Sequence, residues 1–99
     1  MIYRKIYKYG ISIVGAEIDF ELPLHSTIVK TAQQPDGDYY MWVEVYFNDE
    51  VPFPTETRTF KIFGTGHKIE EDFVYVDTFI TRNEVYVWHL YEKKEFTKN

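Results

Sequence analysis

The chain has 99 residues, 44% of them hydrophobic and 19% aromatic, and a formal net charge of −5. That length fits one domain, and that much apolar surface can bury a core, which excludes a disordered chain. Val, Ile, Thr, Tyr, Phe and Trp make up 46 residues while Ala and Leu together supply only five, which excludes an all-α fold.

Taken in chain order, the pattern is one of short β-runs divided by turn chemistry. Ile2 to Tyr9 reads as a first strand closed by Gly10, with Ile11 to Val14 a possible continuation before Gly15. Residues 16–22 alternate cleanly: Ile18, Phe20 and Leu22 face one way, and Glu17, Asp19 and Glu21 the other, before Pro23 ends the run. Thr27 to Gln33 is the next strand. Pro35-Asp36-Gly37-Asp38 is a turn, because Pro fixes φ and Gly accepts positive φ. In Tyr39 to Phe47 the odd positions are all apolar, and the even positions Tyr40, Trp42, Glu44 and Tyr46 are aromatic or acidic. Asn48, Asp49, Pro52 and Pro54 mark an irregular loop over 48–56.

Thr57 to Phe63 is a strand that runs into Gly64-Thr65-Gly66-His67, and the charged residues 68–72 form a turn. Phe73 to Thr81 alternates, with Val74, Val76, Thr78 and Ile80 opposite Phe73, Tyr75, Asp77 and Phe79. Arg82-Asn83 has the length of a two-residue hairpin, and Glu84 to Tyr91 completes it. The charged tail from Glu92 to Asn99 is expected to fray. The prediction is a single all-β domain over residues 1–99, a small antiparallel barrel or sandwich of six to seven strands. Several strands carry aromatics on both faces, more than one small core can hold. The surplus points to a homo-oligomeric interface, a ligand site or cover under loops.

The absence of cysteine excludes disulfides, thiolate metal sites and cysteine nucleophiles, and it suits a reducing, cytoplasmic setting. No secretory signal follows Met1-Ile2-Tyr3-Arg4-Lys5, and no apolar run is long enough for a membrane helix. Charge is uneven: residues 1–10 carry +3, residues 92–99 carry +1, and residues 11–91 carry −9. An acidic body of this kind disfavours nonspecific duplex binding. Tyr3, Arg4, Lys5, Tyr7, Lys8 and Tyr9 form the one stripe with the aromatic and basic mixture of a single-strand binder, so nucleic acid is not the expected partner. The face of Glu17, Asp19 and Glu21 would suit a basic protein partner, although any solvated outer strand face looks similar.

The most unusual stretch is Gly64-Thr65-Gly66-His67. Two glycines about a threonine at a strand end could turn consecutive backbone N–H groups toward an anion, with a hydroxyl and an imidazole beside them. The competing interpretation is a tight turn with His67 as its cap. Arg58 and Lys61 lie upstream, three residues apart, so they project to opposite faces and at most one serves this site. His25, His67 and His89 lack metal-ligand spacing, so neither metal nor cofactor is expected. His89, among Val85, Val87 and Tyr91, reads first as a hydrogen-bonded strand histidine. Ser12 and Ser26 have no nucleophile elbow, and Glu70-Glu71-Asp72 reads as a solvated loop, so no enzyme mechanism is expected.

The segment from Arg58 to Ile69, containing Arg-Thr-Phe-Lys-Ile-Phe-Gly-Thr-Gly-His, resembles a family of short bacteriophage and prophage proteins of unknown function. So do Tyr75 to Phe79 and Val87 to Glu92. Ile6-Tyr7-Lys8-Tyr9 matches the family's opening strand and Leu22-Pro23 its next strand end. The chain departs from the pattern in a longer Gly10–Gly15 stretch and a longer 48–56 loop. The resemblance implies a phage setting and no activity. The leading expectation is a non-enzymatic accessory protein in the host cytoplasm that counters host defence, as a homo-oligomer, by sequestering a small nucleotide-type signal. Arg58 or Lys61, Gly64, Thr65, Gly66, His67 and His89 would hold it, with Trp42 or Trp88 stacked on a base. The alternatives are an inhibitor that presents Glu17, Asp19 and Glu21 to a basic defence protein, and a minor virion component.

Overall fold

Alternation puts a complete apolar face on each long strand, and two such faces must cover one another. A computed structural model, which describes residues 1–94, shows how. Seven strands, β1 (Ile2–Gly10), β2 (Ile18–Pro23), β3 (Thr27–Gln33), β4 (Tyr39–Asn48), β5 (Thr55–Gly64), β6 (Phe73–Ile80) and β7 (Val87–Lys93), form the domain. They make two antiparallel sheets, ordered β1-β4-β3 and β2-β5-β7-β6. The sheets stay separate, so of the two expected architectures the sandwich is the one adopted. Between them lie Ile11, Leu22, Met41, Val43, Val45, Phe60, Ile62, Phe79 and Leu90, all buried. The apolar odd positions of β4 provide three of these residues, as the alternation predicted.

The two sides of the sandwich differ. On one side β3 and β6 meet through polar groups: Asp77 Oδ2 accepts hydrogen bonds from the Thr31 backbone N–H and from Thr31 Oγ1, both at 2.8 Å. Gln33 Oε1 accepts from the Arg82 N–H at 2.8 Å. These side-chain oxygens take donors that an edge strand would otherwise leave open. A bulge between Ile28 and Lys30 precedes Thr31, and a second between Tyr75 and Asp77 turns Asp77 inward. The strict alternation expected for 73–81 is therefore broken: Val74, Asp77 and Phe79 pair with the inward residues of β7, and Tyr75 and Thr78 lie on the outer face. On the other side, where Tyr9 meets Phe20 edge to face at 5.5 Å, β1 and β2 are the terminal strands of their sheets among the described residues.

The inner face holds one ion pair. Arg58 forks onto both Glu92 oxygens, at 2.6 and 2.7 Å, and donates to the Ser26 carbonyl at 2.5 Å. The Glu92 carboxylate raises the Arg58 pKa further, against the opposing effect of burial. Glu92 and Lys93 thus belong to β7 rather than to a frayed tail; residues 95–99 of that expected tail lie outside the described residues. The expected Arg82-Asn83 hairpin is also corrected. Thr81 organises a longer connection: its N–H donates to the Tyr86 carbonyl and its carbonyl accepts from Glu84 N–H. Its hydroxyl bonds Asn83 and accepts from Tyr86 N–H, and Glu84 carries the positive φ of 60°.

The aromatics on the outer face of β4 are dressed by the basic residues of β1. Lys8 Nζ lies 4.4 Å from the Tyr40 ring centre, and Arg4 lies 5.8 Å from that of Tyr46. At the 35–37 turn, with Gly37 at φ 88°, Tyr40 donates its hydroxyl to Asp36 at 2.5 Å. That bond holds the Asp36 carboxyl below its ordinary range and pushes the Tyr40 phenol up to about 12.

Two outcomes follow. Asp77→Ala should lower the unfolding free energy by about 2 kcal/mol in a denaturant titration, because it removes a charged acceptor and strands the Thr31 N–H. Asp36→Asn should return Tyr40 toward the ordinary phenol range in an ultraviolet pH titration. In the wild type, the stabilisation from a raised phenol pKa is complete below the ordinary value of 10.0 and is lost as the pH climbs through about 12.

Candidate functional site

The turn after β5 works by close approach. The His67 ring folds back so that Nδ1 accepts the Gly64 N–H at 3.1 Å, while the His67 N–H donates to the Gly64 carbonyl at 3.2 Å. A Cβ on Gly64 would lie 2.9 Å from His67 Cε1, so any side chain there must displace the exposed His67 ring; Gly66, at φ 86°, is favoured by backbone conformation. Since Nδ1 is an acceptor, the ring proton sits on Nε2, on an exposed side chain. The capping role is present, and it leaves one imidazole donor facing out.

From this turn a hydrogen-bond chain runs across β7 and β6 on the outer face of the four-stranded sheet. Thr65 Oγ1 lies 3.0 Å from His89 Nε2, His89 Nδ1 lies 3.0 Å from Thr78 Oγ1, and Thr78 Oγ1 lies 2.7 Å from the Tyr75 hydroxyl. Both nitrogens of His89 are engaged, which is the strand-histidine role expected of it. Each threonine hydroxyl can donate to or accept from the ring nitrogen it meets, so the chain forms in either sense.

Trp88 lies beside the turn from the other direction. It points inward, donates its indole N–H to the Tyr39 hydroxyl at 3.1 Å, and stacks on Tyr86 with centroids 5.5 Å apart and planes 15° apart. Gly64, Thr65, His67, Tyr86 and Trp88, with Val85 and Val87, line one cleft of about 370 Å³. The sequence reading had singled out Gly64, Thr65, His67 and Trp88, which line this cleft, Gly66, which shapes the turn, and His89, which meets Thr65 on the outer face. It missed Tyr86, although the period-two spacing of Tyr86 and Trp88 at a strand start is the signal for two rings on one face.

The remaining candidates lie elsewhere. Arg58 is committed to Glu92 and Ser26 on the inner face, bordering a separate concavity of about 510 Å³ with Val74, Val76 and Lys94. Lys61 faces outward over the Phe63 and Phe73 rings and pairs with Glu70 at 3.7 Å. Neither cation is part of the cleft, so the expected anion site loses its guanidinium or ammonium. Trp42 belongs to β4 of the other sheet, beside Tyr40, and does not share a site with Trp88. Asp19 accepts from Thr59 at 2.7 Å, Glu21 accepts from Thr57, and Glu17 pairs with Lys93 at 3.3 Å, so these three carboxylates line the outer face of β2 with neighbours already attached. Among the described residues no three His, Asp or Glu side chains are grouped to hold a metal ion, and no helix is long and apolar enough to cross a membrane.

The turn makes a coupled prediction. Gly64→Ala should destabilise the protein by about 1 kcal/mol in thermal or denaturant unfolding, because the new methyl displaces the His67 ring and its hydrogen bond. In a His67→Ala background the same change should cost clearly less, a non-additivity that a double-mutant cycle measures.

Residues 2–99 match the family model described as "Domain of unknown function (DUF7352)", and the chain belongs to that family. No curated protein and no solved structure matches it.

Proposed function

We propose that this member of a family of unknown function is a non-enzymatic binding protein that captures a small nucleotide-type ligand in the cleft between the Gly64–His67 turn and the Tyr86–Trp88 stack. One observation carries the reading: a flat aromatic surface and polar donors converge on the same cleft. Trp88 backs one side of the Tyr86 ring, and Tyr86 is 54% exposed, so a planar base can stack against it. His67 Nε2–H is one donor for a phosphate or ribose oxygen, and the Thr65 hydroxyl is the other when His89 Nε2 donates to it and leaves its proton for the ligand. Among the described residues no lysine or arginine lines the cleft, so the phosphate contact is made by the hydroxyl and imidazole donors, which favours a ligand of low charge, such as a cyclic nucleotide or a nucleoside with one phosphate, over a triphosphate.

The setting proposed with it comes from the sequence resemblance to phage and prophage proteins. The protein would act in the host bacterial cytoplasm, as a homo-oligomer, and withdraw a signalling nucleotide from a defence response. The second reading is a protein–protein role for the acidic face of Glu17, Asp19 and Glu21, which bond Lys93, Thr59 and Thr57 within the chain.

A panel of cyclic and linear nucleotides, screened by thermal shift and followed by calorimetry, tests the proposal. At least one cyclic nucleotide or nucleoside monophosphate should raise the melting temperature, and Tyr86→Ala and His67→Ala should each weaken its binding about tenfold or more, as loss of one stacking or hydrogen-bonding contact implies. No shift with any member of the panel, or full binding by Tyr86→Ala, would overturn it.

A further inference from the structure

The unstitched side of the sandwich carries a complementary pair of free edges. β1 and β2 are both terminal strands of their sheets, and both lie on the side opposite the β3–β6 seam. β1 is nine residues long and keeps one unbroken register with β4, with no bulge or proline to spoil it as a template. Its outward residues are Arg4, Ile6 and Lys8, in register with Tyr46, Glu44 and Trp42; its inward residues are Tyr3, Lys5, Tyr7 and Tyr9, in register with Phe47, Val45, Val43 and Met41. The inward row is incompletely covered: Tyr7 is 42% exposed, and its ring meets Phe47 edge to face.

β2 has the opposite character, face by face. Asp19 and Glu21 point outward, in register with Thr59 and Thr57, and Ile18, Phe20 and Leu22 point inward with Phe60, Arg58 and Glu56. A strand placed along β1 therefore needs acidic side chains on its outer face and apolar ones on its inner face, and β2 has that composition. We infer that a second copy of this chain covers this side, with β1 of each protomer paired to β2 of the other about a two-fold axis parallel to the strands. Such an axis brings both pairings into being at once and closes the assembly at two copies. Lys8 and Arg4 then share the outer face with Asp19 and Glu21 of the second copy, within direct or diagonal reach, and Tyr9 and Tyr7 share the inner face with its Ile18 and Phe20.

The alternative symmetric pairing, β1 on β1, sets the basic side chains of one strand against those of the other, which like-charge repulsion disfavours. The inference deepens the homo-oligomer part of the proposed function by naming its interface. The ligand titration above measures a different cleft, so either idea can fail without the other.

Sedimentation velocity on three proteins provides the test: wild type, Arg4→Glu with Lys8→Glu, and Asp19→Lys with Glu21→Lys. All the altered side chains lie on the outer strand faces, and circular dichroism checks that each variant keeps the β fold. The wild type should sediment as a dimer at micromolar concentration and each variant as a monomer. An equimolar mixture of the two variants should recover the dimer, since each reversed edge then meets an edge of opposite charge. A monomeric wild type, variants that still dimerise alone, or a mixture that stays monomeric would overturn the inference.

Discussion

The fold turns on the hydrogen bonds that Asp77 accepts from Thr31. A sandwich of three strands on four has a small core, and the sheets need more than apolar contact to hold one registration. The Asp77 carboxylate reaches from β6 to the edge strand β3 and takes both the backbone N–H and the hydroxyl of a residue that is only 2% exposed. The bulges in β3 and β6 exist at the places that let this happen. One side of the molecule is thereby closed by side-chain hydrogen bonds in place of a ladder, and β1 and β2 on the other side are left as edges among the described residues.

This asymmetry orders the rest of the molecule. The Arg58 fork to Glu92 and Ser26 ties β5 and β7 to the start of β3. It also withdraws from ligand chemistry the one arginine that the sequence had suggested for it. What remains at the Gly64–His67 turn is a set of neutral donors beside stacked aromatic rings. Under the proposed nucleotide reading, such a site would discriminate by shape and stacking more than by charge, and the net charge of −5 would give it no long-range attraction for anions.

Much of the architecture was legible in the sequence, for physical reasons that can be located. Met41, Val43 and Val45 alternate without exception, and they supply the centre of the core. Ile18, Phe20 and Leu22 do the same for β2, and Gly66 and Gly37 took the positive φ expected of turn glycines. The failures have causes too. A bulge changes the parity of a strand without altering its composition, so the faces of β6 were assigned wrongly beyond Tyr75. The connection after β6 depends on the hydroxyl and backbone of Thr81, groups that every threonine has, and the turn signal at Arg82-Asn83 pointed to a shorter loop. Trp42 and Trp88 were equal candidates because one-dimensional spacing does not say which sheet a strand joins. Lys61 and Arg58 were correctly given opposite faces, but their partners Glu70 and Glu92 come from distant segments.

Amide hydrogen exchange followed by NMR at low and high protein concentration tests the central claim, a sandwich sealed by a polar seam on one side and completed by a second copy on the other. The account predicts that the Thr31 amide is protected at both concentrations, although it lies on an edge strand, and that amides of β1 and β2 gain protection only as the concentration rises. A Thr31 amide that exchanges as fast as an exposed loop amide, or β1 and β2 amides indifferent to concentration, would contradict it.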